Sequence, residues 1–206
     1  MDKVFTISFL VAAVAAGAPL LFGTLGEILT EKSGNLNLGV EGMMYMGGVA
    51  GLAGAYYYEQ AMGASASGAV AALIGTVCAF LCAMVGALIY SVLTITFRAN
   101  QNVTGLALTI FGTGFGNLVG EAMGTAAGGF VAVSQNTKDV FVGGIPVLKD
   151  LPVVGQLLFS YNYLVYLGII LAIVMAWFLG RTRSGLNLRS VGEDPATANA
   201  AGVNVT

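Results

Sequence analysis

Histidine is absent from this 206-residue chain, and charged side chains make up only 9% of it. The first absence removes the commonest general base and metal ligand, and no grouping of carboxylates or thiols in the sequence replaces it. A Gly-rich phosphate loop ending in Lys-Ser or Lys-Thr is also missing. No catalytic residue, metal site or resident cofactor is therefore expected, and any energy source has to come from another polypeptide. The scarcity of charge excludes a water-soluble domain, which carries about 25% charged residues. There are only two cysteines, Cys78 and Cys82, one helical turn apart in an apolar stretch, where they read as small packing residues. With a formal net charge of −2 and no basic cluster, the chain offers nucleic acid nothing to bind.

What remains is apolar and comes in long runs. Charge-free stretches cover residues 4–26, 42–58, 60–97, 99–120 and 151–180. Crossing a bilayer takes roughly 20 apolar residues, and within hydrocarbon a helix satisfies its own backbone. Four of the five stretches reach that length and 42–58 is marginal, so the sequence predicts an all-α integral membrane protein with five transmembrane helices. A cleaved secretory signal is the other reading of the N-terminus, but its apolar run is too long and lacks a small-residue cleavage site.

The first helix is expected over about 4–29, kinked at Pro19, followed by a polar turn at 30–35. The second begins near Asn37 as its N-cap, with Glu41 in the first turn, where the helix dipole favours a carboxylate. Gly47, Gly48, Gly51 and Gly54 give it a small-residue face, and Tyr56, Tyr57 and Tyr58 end it at the interface. The third lies within 68–97. The fourth follows Asn100-Gln101-Asn102, with Asn102 as its cap and Gly112, Gly116 and Gly120 as a packing ridge. Residues 121–162 are expected to form an extracytoplasmic or partly re-entrant loop, and the fifth helix covers about 163–179. No internal repeat is visible.

Lys32, Arg98, Arg181, Arg183 and Arg189 fall on one side of this topology, and Lys3, Lys138 and Lys149 on the other. All four arginines agree, so that side is assigned to the cytoplasm, with the N-terminus outside and the C-terminal segment inside. Glu27 and Glu41 are the carboxylates nearest to membrane-embedded sequence, as intramembrane acids or as interfacial and capping groups. Asn100 and Asn102 offer amides suited to hydroxyls or a nucleobase edge, or simply a solvated turn. Asn37, Glu41, Asn100 and Asn102 are the candidate substrate-pathway residues.

The segment 181–206 is the one long polar stretch. Pro195 suits the first position of a helix, Asp194 its cap, Ala196, Ala198, Ala200 and Ala201 its body and Gly202 its end. A short, small-faced helix results, serving either as a connector between spans or as a surface for a soluble partner.

The motif Gly185-Leu-Asn-Leu-Arg-Ser-Val-Gly-Glu-Asp-Pro195, running on to Ala200-Ala201-Gly202-Val203, resembles the cytoplasmic coupling loop of permease subunits from bacterial ABC importers of simple sugars and nucleosides. Gly26-Glu27-Ile28 and Ser33-Gly34-Asn35-Leu36-Asn37-Leu38-Gly39-Val40-Glu41-Gly42 are similar to that family's other hallmark. Arg98 to Leu108, and Gly144-Ile145-Pro146 through Leu158-Phe159, resemble its nucleoside branch. The resemblance implies one transmembrane permease domain over 1–206 in the bacterial cytoplasmic membrane. It implies a second permease subunit, an extracytoplasmic substrate-binding protein, and a cytoplasmic ATP-binding subunit that alone binds ATP. By the same resemblance, Gly192, Glu193, Asp194, Pro195, Ala200 and Gly202 form the ATPase-coupling site. Such permeases continue for several more helices, so 1–206 is expected to be the N-terminal part of a longer fold. A branched-chain amino-acid permease and a non-transporting scaffold that keeps the docking loop are the rival readings.

Overall fold

A computed structural model describes residues 2–142 and 154–205. Among these residues the regular structure is entirely helical: α1 (Asp2–Lys32), α2 (Val40–Met62), α3 (Gly68–Ser91), α4 (Gln101–Ala127), α5 (Gln135–Phe141), α6 (Val154–Phe159), α7 (Tyr163–Arg181), α8 (Arg183–Glu193) and α9 (Pro195–Ala200), with a short 3₁₀ turn at Gly63–Ser65 and a π turn at Val92–Thr96. Among the described residues, four helices are long and apolar enough to cross a membrane: Ile7–Lys32 within α1, Gly68–Thr96, Gln101–Ala127 and Tyr163–Arg181. The stretch expected to be the fifth, α2, is a continuous helix of 23 residues, but it carries Glu41 and Glu59 near its two ends and is not among these four.

The chain forms two compact units, one of Met1–Asn35 with Phe141–Thr206, the other of Leu36–Val140. In the second, α2 packs against both α3 and α4. Glycine permits the approach. A Cβ on Gly51 would lie 3.0 Å from the Gly75 carbonyl oxygen, and one on Gly75 equally close to that of Gly51. On α4 the ridge is Gly105, Gly112 and Gly116, which face Leu38, the Gly42 carbonyl and the Tyr45 ring. Gly120, expected on that ridge, has open space beside it. Residues four apart advance 400° around a 3.6-residue helix, so a ridge drifts off its neighbour within a few turns. Met43, Tyr90 and Leu108 form the buried centre of this unit.

In the first unit α1 runs unbroken through Pro19 and one turn beyond its expected end, to Lys32, a basic residue that suits a helix C-terminus. It packs on α7, where Gly168 sits against Leu21 and Phe22. Outward faces of the long helices are apolar and exposed, as at Phe80, Leu88, Ile110 and Ile173, the pattern expected of lipid-facing surface.

Three boundaries correct the sequence reading. The cap of α2 is Gly39, and Asn37 instead accepts a hydrogen bond from the Gly39 N–H at 2.9 Å, an Asx-type turn two residues long. Asn100 caps α4, accepting from the Val103 N–H at 3.2 Å, while Asn102 already lies inside the helix. The stretch 121–162 is not uniformly loop: α4 reaches Ala127 before Gly128 turns left-handed (φ +72°), and α5 and α6 follow. Residues 143–153, with Gly144, Ile145, Pro146 and Lys149, lie outside the described residues.

Candidate functional site

The segment expected to couple to an ATPase is built from two capped helices, α8 and α9. At the end of α7, Thr182 donates its hydroxyl to the Phe178 carbonyl at 2.6 Å and accepts the Gly185 N–H at 3.0 Å, closing one helix and opening the next. Gly185 lies so close to the Phe178 carbonyl that no side chain fits. The sequence reading missed α8, although Thr182 ahead of Arg183 is an N-cap signal.

Asp194 (φ −153°, ψ 99°) then breaks the helix and caps α9. Its Oδ1 accepts the N–H groups of Ala196 at 3.0 Å and Thr197 at 3.3 Å, and its Oδ2 accepts the Thr197 hydroxyl at 2.5 Å. The Thr197 hydroxyl, then the two backbone N–H groups, hold this carboxyl below the ordinary aspartate range. Pro195 occupies the first turn, where its missing N–H costs nothing. The C-cap is Ala201 rather than Gly202; Gly202 follows in the left-handed conformation (φ +85°), and the Val203 N–H returns to the Ala198 carbonyl at 3.0 Å. Glu193, Asp194, Pro195 and Ala200 are exposed, whereas Ala198 is buried. Gly192, in the last turn of α8, meets the end of α1 backbone to backbone.

Residues 36–42, the end of the hallmark stretch near the N-terminus, and the stretch 98–108 meet in the second unit. Between Asn35 and Val40 the chain is non-helical, so its polar backbone groups need partners. The Leu36 N–H donates to Gln101 Oε1 at 2.8 Å, and the Leu36 carbonyl accepts the Tyr90 hydroxyl at 2.6 Å. The Leu38 carbonyl accepts the Thr109 hydroxyl at 2.8 Å. Gly105 leaves no room for a Cβ, which would sit 2.7 Å from the Leu38 nitrogen. Residues 36–39 are thus clamped to α3 and α4. None of these pairings, 54 to 71 residues apart in the chain, is visible as a local pattern.

Of the pathway candidates, Asn37 is buried in this clamp and its amide also donates to Met43 Sδ at 3.9 Å. Glu41, Asn100 and Asn102 are exposed, at the first turns of α2 and α4. Arg98, just ahead, holds a positive φ of +53° where the π turn ends. Ile89, Leu93, Val103, Ala107 and Phe111, with Tyr90, Thr104 and Leu108, line a mostly apolar cavity of about 410 Å³.

At the far end of α2, Glu59 accepts the Ser134 N–H at 2.8 Å and the hydroxyls of Ser134 and Thr137, pinning the start of α5.

Comparison with known proteins gives the chain its relatives. It is 31% identical to the guanosine ABC transporter permease protein of Bacillus subtilis, over 100% of this chain and 62% of that protein. It is 35% identical to a Haloferax volcanii protein provisionally named a glucose ABC transporter permease protein, over 98% of this chain and 56% of the relative. It is 28% identical to the nucleoside ABC transporter permease protein of Lactococcus lactis, over 100% of this chain and 62% of the relative. The chain therefore spans about three-fifths of the length of the curated relatives it matches. No solved structure matches it. A family model described as the branched-chain amino acid transport system / permease component matches residues 9–206, and the chain belongs to that family of membrane permeases.

Proposed function

We propose that this chain is the membrane-spanning permease part of an ABC importer for nucleosides or simple sugars, with ATP hydrolysed on a separate subunit. The observation that carries the reading is α8–α9: two short helices, each with a side-chain cap, following directly on an apolar helix and leaving Glu193, Asp194, Pro195 and Ala200 exposed. A capped helix moves as a unit when a partner pushes it, and so converts a partner's closure into a shift of the helix behind it. The arginine-rich side is the cytoplasm in this reading, α2 is a fifth span, and 121–162 faces outward. A second permease subunit completes the pathway, and an extracytoplasmic binding protein delivers substrate. Glu41, Asn100 and Asn102 are the exposed polar groups proposed along that pathway; Asn37 supports it from within the clamp.

The names of the relatives favour guanosine or another nucleoside over glucose. A branched-chain amino acid remains the second reading because the matched family is described by that cargo. Uptake of labelled guanosine, glucose and leucine by cells with and without the gene separates them. The account predicts loss of guanosine uptake on deletion. Unchanged guanosine and glucose uptake with lost leucine uptake would favour the second reading, and no change in any of the three would favour a scaffold.

A further inference from the structure

The coupling segment touches a second element besides the helix it follows. A Cβ on Gly192 would land on the Lys32 carbonyl oxygen and within 2.9 Å of the Gly34 nitrogen and 3.0 Å of the Lys32 carbonyl carbon. One on Gly34 would lie 3.2 Å from the Gly192 Cα, and Gly34 is already left-handed at φ +90°. All these atoms are backbone, so neither side of the contact yields by rotating a side chain. The turn it presses on is itself closed by hydrogen bonds: the Gly34 N–H donates to the Glu31 carbonyl at 3.0 Å and the Asn35 N–H to the Thr30 carbonyl at 3.1 Å. Ser33 adds its hydroxyl to the Thr30 carbonyl at 2.6 Å. On the other side, Gly192 is in the last turn of α8, two residues before Asp194, whose carboxylate caps α9.

Two rigid ends therefore meet at a point where only glycine fits. We propose that the contact of Gly192 with the Lys32–Gly34 turn is a joint that passes movement of α8–α9 to α1, in parallel with the covalent route through α7. Gly192 and Gly34 are positioning residues in this scheme: they touch no substrate, and they set whether displacement of the docking helices reaches the first span. The inference rests on the reading of α8–α9 as the ATPase-docking element. It also accounts for glycine at 192, where a Cβ would meet the backbone of Lys32 and Gly34.

The test uses the intact permease with its ATP-binding subunit. Gly34→Ala, which alters the same contact from the α1 side and outside the docking helices, should leave co-purification of that subunit within about twofold of wild type. It should lower the maximal rate of guanosine uptake at least tenfold and leave the KM unchanged. Gly180→Ala, at a position with open space around it, should match wild type in all three. Wild-type uptake by Gly34→Ala, or loss of the subunit along with uptake, overturns the joint. A second measurement needs no variant: hydrogen exchange of the wild-type complex with and without a non-hydrolysable ATP analogue. Exchange should change in the peptide spanning 28–36 together with that spanning 183–203. A bound subunit with a change confined to 183–203 overturns the joint alone; wild-type permease that binds no ATP-hydrolysing subunit overturns the functional reading and the joint with it.

Discussion

Asp194 shows how much one side chain settles locally. Its carboxylate takes three donors at the start of α9, and proline directly after it removes the one donor that could not be reached. Because these bonds favour the charged form, the cap is fully present above the ordinary aspartate pKa of about 3.9 and is lost as pH falls through the lower folded-state value. Asp194→Ala should therefore speed amide exchange at Ala196 and Thr197 several-fold at neutral pH. Asp194→Asn should keep most of the protection, since asparagine is an equally good cap, but without the acid-dependent loss. Equal protection in wild type and Asp194→Ala would remove the cap from the account. This residue was legible from the sequence because capping is a local pattern. Glu59 was not, since its partners Ser134 and Thr137 lie 75 and 78 residues further along the chain.

Among the elements, the glycine faces separate packing from mere composition. Gly112 meets the backbone of Gly42, and Gly120 meets nothing within 4 Å, although the same spacing argument places both on one ridge. Gly112→Ala should lower the stability of the detergent-solubilised protein by about 1–3 kcal/mol, the usual result of overpacking. Gly120→Ala should be neutral or slightly stabilising, as for an open helical glycine. Thermal unfolding of the two variants side by side decides this, and equal melting temperatures would contradict the assigned α2–α4 interface. The long apolar helices α1, α3, α4 and α7 were readable because length and charge depletion are themselves the physical requirement for a span. The existence of α8 and the clamp on residues 36–39 were not foreseen. The first is amphipathic and polar overall, and the second consists of single hydrogen bonds between the side chains of Tyr90, Gln101 and Thr109 and backbone groups distant in sequence, with Tyr90 and Thr109 donating and Gln101 accepting.

For the whole molecule, family membership rests on a match over residues 9–206, and the helical character on the described residues. Cargo and partners rest on relatives of which this chain spans about three-fifths. The element that ties the reading together is α8–α9, and its proposed receptor is a soluble ATP-binding subunit on the arginine-rich side. Affinity purification of the tagged protein from its own cells, wild type against Glu193→Lys, tests that claim most directly. The account predicts that an ATP-hydrolysing subunit comes down with wild type and is lost with Glu193→Lys, while both proteins reach the membrane in equal amount. Undiminished recovery of that subunit with Glu193→Lys, or its absence from the wild-type preparation, would contradict it.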